Sequence, residues 1–284
     1  MGAFIIFLCV FLGCGRSAQD YVEAGERALK AYNLEEAERD YQKAIDLEPN
    51  NARALYGMGW VLNMKRNIPA ARIYFERAIQ ADPKYYGGYK GMGSIHLAMG
   101  FYEQAEASFK TALRLKPDDA ATHGSLGYVY LVTKRLDLAE KAFRKALELE
   151  PDRGEIHYLL AELRAKQGAY DAALEELEQG ESKPFEEVKF KLLGDELRAR
   201  LYLRKALKAL PSVSTPDEKG RADLEARLRD IERADAALSR ALKTSIVMEK
   251  VRLRRLGKKI EAARARLKRR LKEGDAEGHA ASDG

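Results

Sequence analysis

Nucleophilic, redox or metal chemistry in this chain would have to come from two cysteines, four histidines and two glycine-rich stretches. Cys9 and Cys14 both fall in the first 14 residues and no cysteine follows, so the remainder has neither a disulfide framework nor a cysteine-based metal site. His123 and His157 occupy the same position 34 residues apart without metal-ligand spacing, and His96 and His279 are distant from both; core filling accounts for them better than ligation. "GGYKGMG" (87–93) imitates a phosphate loop but falls between helical segments with no strand before it. "HGSLG" (123–127) lacks the spacing of a Gly-x-Ser-x-Gly elbow. Acidic pairs such as Glu35 and Glu36 belong to solvated helix faces. No catalytic residue, cofactor or metal site is indicated.

The one cysteine with a chemical context is Cys14. It ends the apolar run "GAFIIFLCVFLGC" and is followed at once by polar "GRSAQD". The run is about 13 residues, short of the ~20 needed to cross a bilayer and suited to a leader. It resembles the lipobox of bacterial lipoproteins, in which the cysteine is lipidated and becomes the mature N-terminus. The resemblance implies a leader over 1–13, ending at Gly13, and a lipid anchor on Cys14. Two positions depart from that family: Phe11 stands where leucine is usual, and "MGAF" has no Lys or Arg, which leaves open whether Met1 is the true start.

The elements behind these residues are helical. A composition of 46% hydrophobic and 33% charged residues, with 8 Pro and 22 Gly among 284, excludes a disordered, collagen-like or polytopic membrane chain. The net charge is +6, yet residues 221–272 alone carry +11, which leaves −5 on the rest: an acidic body with a basic tail.

Pro49, Pro83, Pro117 and Pro151 recur every 34 residues without an insertion. The same period places Gly25, Gly59, Gly93 and Gly127 (Ala161 in a fifth unit), then Ala37, Ala71, Ala105, Ala139 and Ala173, then Tyr41, Phe75, Phe109 and Phe143. These slots resemble the tetratricopeptide repeat over 18–51, 52–85, 86–119 and 120–153, with a partial fifth unit at 154–187, so that the array covers 14–187. The family implies an all-α, right-handed solenoid of helix pairs. Small residues sit where antiparallel helices approach closest, and the ring fills the space beside them. In the fifth unit Gly180 and Glu181 break the pattern and Pro184 is out of register. A helix over 185–210 follows, expected to cap the array.

The family builds its concave surface from five slots of each first helix. Mapped here, they give Tyr56, Trp60, Met64, Leu97, Tyr128, Leu131, Val132 and Tyr158, an apolar and aromatic stripe where solvent is expected, with Lys90 among them. Exposed apolar stripes with Trp and Tyr mark protein-binding surfaces. The carboxylate-clamping version of the repeat needs Lys and Asn at these slots. Only Lys90 fits, with Trp60 and Ser94 in place of asparagines, so that ligand class is rejected.

After a loop at 211–220, apolar residues Leu224, Leu228, Ile231, Leu238 and Leu242, then Leu253, Leu256, Ile260, Ala263 and Leu267, describe a long basic amphipathic, coiled-coil-like helix over 221–273, or a helical hairpin breaking near Gly257. Its cations include Arg254, Arg255, Lys258, Lys259, Arg266, Arg269 and Arg270. Anionic lipid, an acidic protein or nucleic acid would suit them; nucleic acid is disfavoured because a leader would take the segment out of the cytoplasm. Dimerisation, folding back onto the groove and a free segment all remain open. Residues 274–284 are expected to be disordered. The sequence thus describes a membrane-anchored scaffold that holds a partner protein's segment in an apolar groove, resembling envelope lipoproteins built from these repeats, including the pilotin type. The periplasmic face of the outer membrane is favoured, with the inner membrane or cell surface as other sites. A binder of nucleic acid or anionic surfaces through the basic helix is the alternative.

Overall fold

A computed structural model describes residues 16–181, 188–207, 218–244 and 247–282. Cys9, Phe11, Cys14, Pro184, Phe185 and most of the loop at 211–220 lie outside them. The chain divides into two compact units, one ending at Leu149 and one beginning at Glu150.

In the first unit, α1 (Ala18–Lys30), α3 (Ala52–Met64), α5 (Tyr86–Ala98) and α7 (Ala120–Val132) begin 34 residues apart. Their partners α2 (Leu34–Leu47), α4 (Ile68–Ala81), α6 (Tyr102–Leu115) and α8 (Leu136–Leu149) keep the same interval. The starts are set by capping side chains. Ser17 and Asp20 form a reciprocal capping box, and Asn33, Asn51, Asn67 and Asp119 each accept a backbone N–H three residues on. The stops are set by Pro49, Pro83 and Pro117, each just after a C-cap, where no N–H is available to continue the helix.

The turn inside each pair is also periodic. Tyr32, Arg66, Gly100 and Lys134 have φ of 56°, 63°, 79° and 62°. The next residue then returns its N–H to the carbonyl five back, as Asn33 does to Ala28 and Arg135 to Tyr130. This backbone reverses the chain in the shortest distance, so the two helices pack along their length. Where they pack, Phe75, Phe109 and Phe143 are fully buried, with Ala71, Ala105 and Ala139 beside them. A Cβ placed on Gly59, Gly93 or Gly127 would stand 2.6 Å from the ring of its own unit. The small slot exists because the ring fills it.

The second unit opens with a fifth pair, α9 (Gly154–Gln167) and α10 (Tyr170–Glu181), whose turn repeats the left-handed residue at Gly168. α11 (Val188–Leu207) covers this pair, with Leu197 and Leu201 packed against Ala161, Ala165, Ala173 and Leu177. The opposite side of α11 supplies Ala199, Leu203 and Ala206 to a separate core with the last two helices. These are α12 (Glu218–Thr244) and α13 (Val247–Ser282).

Two features differ from the sequence reading. The hairpin does not break at Gly257, which lies inside α13, where an added Cβ would be 3.2 Å from Leu238 of α12; the glycine serves close approach. The backbone of α13 also stays helical to Ser282, through a segment expected to be disordered; it contains no proline, and Ala and Glu offset Gly274 and Gly278. The basic segment folds back as an antiparallel hairpin against α11, its seam formed by Ile231 and Leu238 on one side and Leu253, Ile260 and Leu267 on the other.

Candidate partner-binding groove

α3 brings Tyr56 and Trp60 one turn apart on one face. Their rings meet edge to face at 6.2 Å, and each also meets Phe75 of α4, at 5.9 and 6.1 Å. Tyr85, just before α5, closes the cluster 5.7 Å from Tyr56. Trp60 and Tyr56 are half-buried, so each keeps an open side. Burial pushes the Tyr56 hydroxyl well above its ordinary range, opposed by a hydrogen bond with Trp60. A cleft of about 250 Å³ lies between α1 and α3, lined by Leu29, Tyr41, Tyr56, Gly57 and Trp60 with Glu26, Lys30 and Arg53 at its polar side. Farther along the same unit Met64 and Tyr128 are each 37% exposed, and Leu97 and Val132 are half-buried. Of the eight expected stripe residues, these six are partly or largely accessible.

Two of the expected groove residues stand elsewhere. Leu131 is fully buried: it follows Gly127 by one turn, on the face that packs against Phe143, and is core. Tyr158 belongs to the second unit, where it packs beside the cluster of Leu197 and Leu201. Burial raises its hydroxyl to about 12, with the neighbouring Glu162 and Glu196 adding to the shift. α11 covers the face of α9 that an additional repeat would have left open.

The charges of the groove are largely neutralised within the fold. Arg53 donates two hydrogen bonds to Glu26, at 2.6 and 2.7 Å. Lys90 stands 3.0 Å from Asp119, with side chains 15% and 12% exposed. Burial by itself would raise the Asp119 carboxyl, yet Lys90 and hydrogen bonds from Thr122 hold it below its ordinary value. Asp119 also caps α7, which fixes the carboxylate in place. Sequence mapping identified Lys90 but missed Asp119 and Tyr85. Both precede a first helix by one residue, a slot whose only local signal is capping chemistry.

His157, His123 and His96 are engaged in the fold. His157 Nδ1 lies 2.9 Å from Glu176, His123 Nε2 lies 2.9 Å from the Pro117 carbonyl, and His96 Nδ1 lies 3.3 Å from the Ser108 hydroxyl. Among the described residues no group of three or more His, Cys, Asp or Glu could hold a metal ion, and no described helix is long and apolar enough to cross a membrane.

Residues 22–86 and 91–153 match one tetratricopeptide repeat family model, and 133–184 match a second. No curated protein matches the sequence. Among solved structures, one described as the functional characterization of Pseudomonas aeruginosa pilF is 20% identical with a TM-score of 0.55, over 76% of this chain and 90% of that one. A thermophilic TPR protein of Thermus thermophilus is 25% identical with a TM-score of 0.55, over 65% and 97%. The APC/C hetero-tetramer Cut9–Hcn1 is 20% identical with a TM-score of 0.63, over 84% of this chain and 43% of that one. Likeness at about 20% identity is likeness of fold. The five helix pairs in 34-residue register and the matched repeats agree: the chain belongs to the tetratricopeptide repeat family, an α-solenoid scaffold for protein–protein interaction.

Proposed function

We propose that the protein is a non-enzymatic, membrane-anchored adaptor whose first unit holds an apolar segment of a partner protein during assembly of a cell-envelope complex. The observation that carries this reading is the aromatic cluster of Tyr56 and Trp60, open on one side, with Tyr128 and Met64 exposed in the same unit. Aromatic side chains of this kind supply large contact area at low entropic cost. The ion pairs Arg53–Glu26 and Lys90–Asp119 tie down two of the groove's cations and leave Lys30 at the cleft edge, so the favoured segment is mainly apolar and engages by its interior. The anchor is assigned to Cys14 from the leader "GAFIIFLCVFLGC", and with it a place in the bacterial envelope, the periplasmic face of the outer membrane being favoured.

Two measurements test the halves separately. Intact mass of the protein expressed with its leader, beside Cys14→Ala, should show loss of residues 1–13 and a gain of lipid mass only when Cys14 is present. Retention of Met1 or Gly2 without lipid would remove the anchor. Trp60→Ala with Tyr128→Ala should lower affinity for a partner segment by about 2 kcal/mol or more while the fold is kept. Undiminished binding would remove the groove.

A further inference from the structure

We propose that the outward face of α13 is a docking surface for an anionic lipid bilayer. α11 presents two adjacent carboxylates, Asp195 and Glu196, each more than nine-tenths buried. Asp195 accepts from Arg240 of α12 at 2.9 Å, and Glu196 accepts from Arg252 of α13 as well as from Arg200 of its own helix. Farther along, Arg264 of α13 donates to Asp235 of α12 at 2.8 Å. Between these ties Leu253 and Ile260 are fully buried, and Leu267 is so just beyond them. One side of α13 is therefore committed to packing, and its rotation about its own axis is set.

The side left outside is cationic. Residues 250–272 hold twelve Lys and Arg against Glu261 alone. Arg252 is paired with Glu196 of α11 and Arg264 with Asp235 of α12. Arg254, Arg255, Lys258 and Lys259 are exposed, and none has a carboxylate within 4.0 Å among the described residues. The same holds two turns on for Arg266, Lys268, Arg269 and Lys272. At 3.6 residues per turn, Arg254, Lys258, Arg269 and Lys272 fall within about 60° of one another around the helix, with the exposed Glu261 in the gap between Lys258 and Arg269. Arg255, Lys259 and Arg266 fall along a second row beside these, giving a two-row ridge roughly 27 Å long.

Such a ridge matches an extended array of phosphates. A bilayer is favoured over nucleic acid because residues 250–272 include no aromatic to stack on a base and no Asn, Gln, Ser or Thr to read a base edge. The exposed cations read charge, and two parallel rows on one helix suit a flat anionic surface, with Val251 and Ala265 exposed on the same side. The leader with Cys14 points the same chain to a membrane, and a basic patch is the usual second signal beside a lipid anchor. Because Leu253, Ile260 and Leu267 are buried in the hairpin, contact rests mainly on charge, which makes it sensitive to salt, with Val251 the large apolar side chain exposed on this stretch. This inference does not depend on the groove.

The test uses the chain lacking residues 1–14, which keeps every described residue and carries no anchor. It is sedimented with vesicles of phosphatidylcholine, alone or with about 30% phosphatidylglycerol. The expected result is sedimentation with the anionic vesicles only, falling at least about tenfold between about 0.05 and 0.5 M salt. A variant with Gln at Arg254, Arg255, Lys258 and Lys259 should lose about tenfold or more in vesicle affinity and melt like the wild type, and Trp60→Ala should bind as the wild type does. Equal sedimentation with neutral vesicles, or binding undiminished in the Gln variant, would overturn the proposal. So would preference for a short DNA duplex over vesicles at equal phosphate concentration.

Discussion

Lys90 Nζ lies 3.0 Å from the carboxylate of Asp119, a residue that also caps the following first helix. This groove cation is thereby tied to the scaffold. Lys90→Ala should cost about 2 kcal/mol of stability by leaving a shielded carboxylate without its partner. Adding Asp119→Ser, which keeps a capping oxygen, should recover part of that loss. Denaturant melts of the two variants check the coupling, and equal stabilities for both would show that the pair contributes nothing.

Acid should weaken the first unit at Glu106. Burial opposes ionisation there, but hydrogen bonds from Arg135 and Lys110, each at 2.7 Å, prevail and hold its carboxyl at about 2 instead of 4.5. A folded value below the unfolded one stabilises the fold above the unfolded value. That contribution is lost as pH falls from about 4.5 toward 2. Glu106→Gln should melt lower than the wild type at neutral pH, and the gap should narrow steadily through that window. A constant gap would mean that the ionised carboxylate is not the stabilising form.

The left-handed turns make an opposite pair of predictions. Gly100 has φ of 79° with nothing within 4 Å of an added Cβ, so Gly100→Ala meets strain of conformation and not of space. It should cost about 1 kcal/mol. Arg66, at φ 63° in the equivalent turn, should be indifferent to glycine or gain less than about 1 kcal/mol from it. Thermal melts decide, and destabilisation by Arg66→Gly equal to that of Gly100→Ala would contradict the account.

In the hairpin, Glu196 is the more consequential partner of its ion pairs. It is almost fully buried and serves both Arg200 and Arg252, whose side chains reach solvent. Arg252→Ala leaves the carboxylate with Arg200, so it should cost less than Glu196→Ala, for which about 1–2 kcal/mol is expected. Amide exchange along α13 should quicken more in the second variant.

The repeat was legible because proline, glycine and aromatic slots recur in step with helix starts: each first helix begins on the first residue of its 34-residue unit, from Ala18 to Gly154. The accessibility of Tyr56, Trp60, Met64 and Tyr128 followed from the same register, since it depends on helix phase. Leu131 and Tyr158 departed for reasons that no single repeat contains: the first lies on the edge of the packed face beside Phe143, and the second is covered by α11. Gly257 misled because glycine marks both a break and a close approach, and only the partner Leu238 distinguishes them. The pairing of Asp195 and Glu196 with Arg240 and Arg252 joins residues 45 and 56 apart, beyond any local pattern.

The central claim, that Trp60 marks the partner-binding surface, has a direct reporter, because it is the chain's sole tryptophan. Peptides selected from a random display library against the full chain should be mainly apolar. On titration, each should shift or quench Trp60 emission saturably, with weak dependence on salt, and its affinity should fall at least about tenfold with Tyr128→Ala. Selected peptides that bind without changing Trp60 emission, or that require a free terminal carboxylate, would contradict the account.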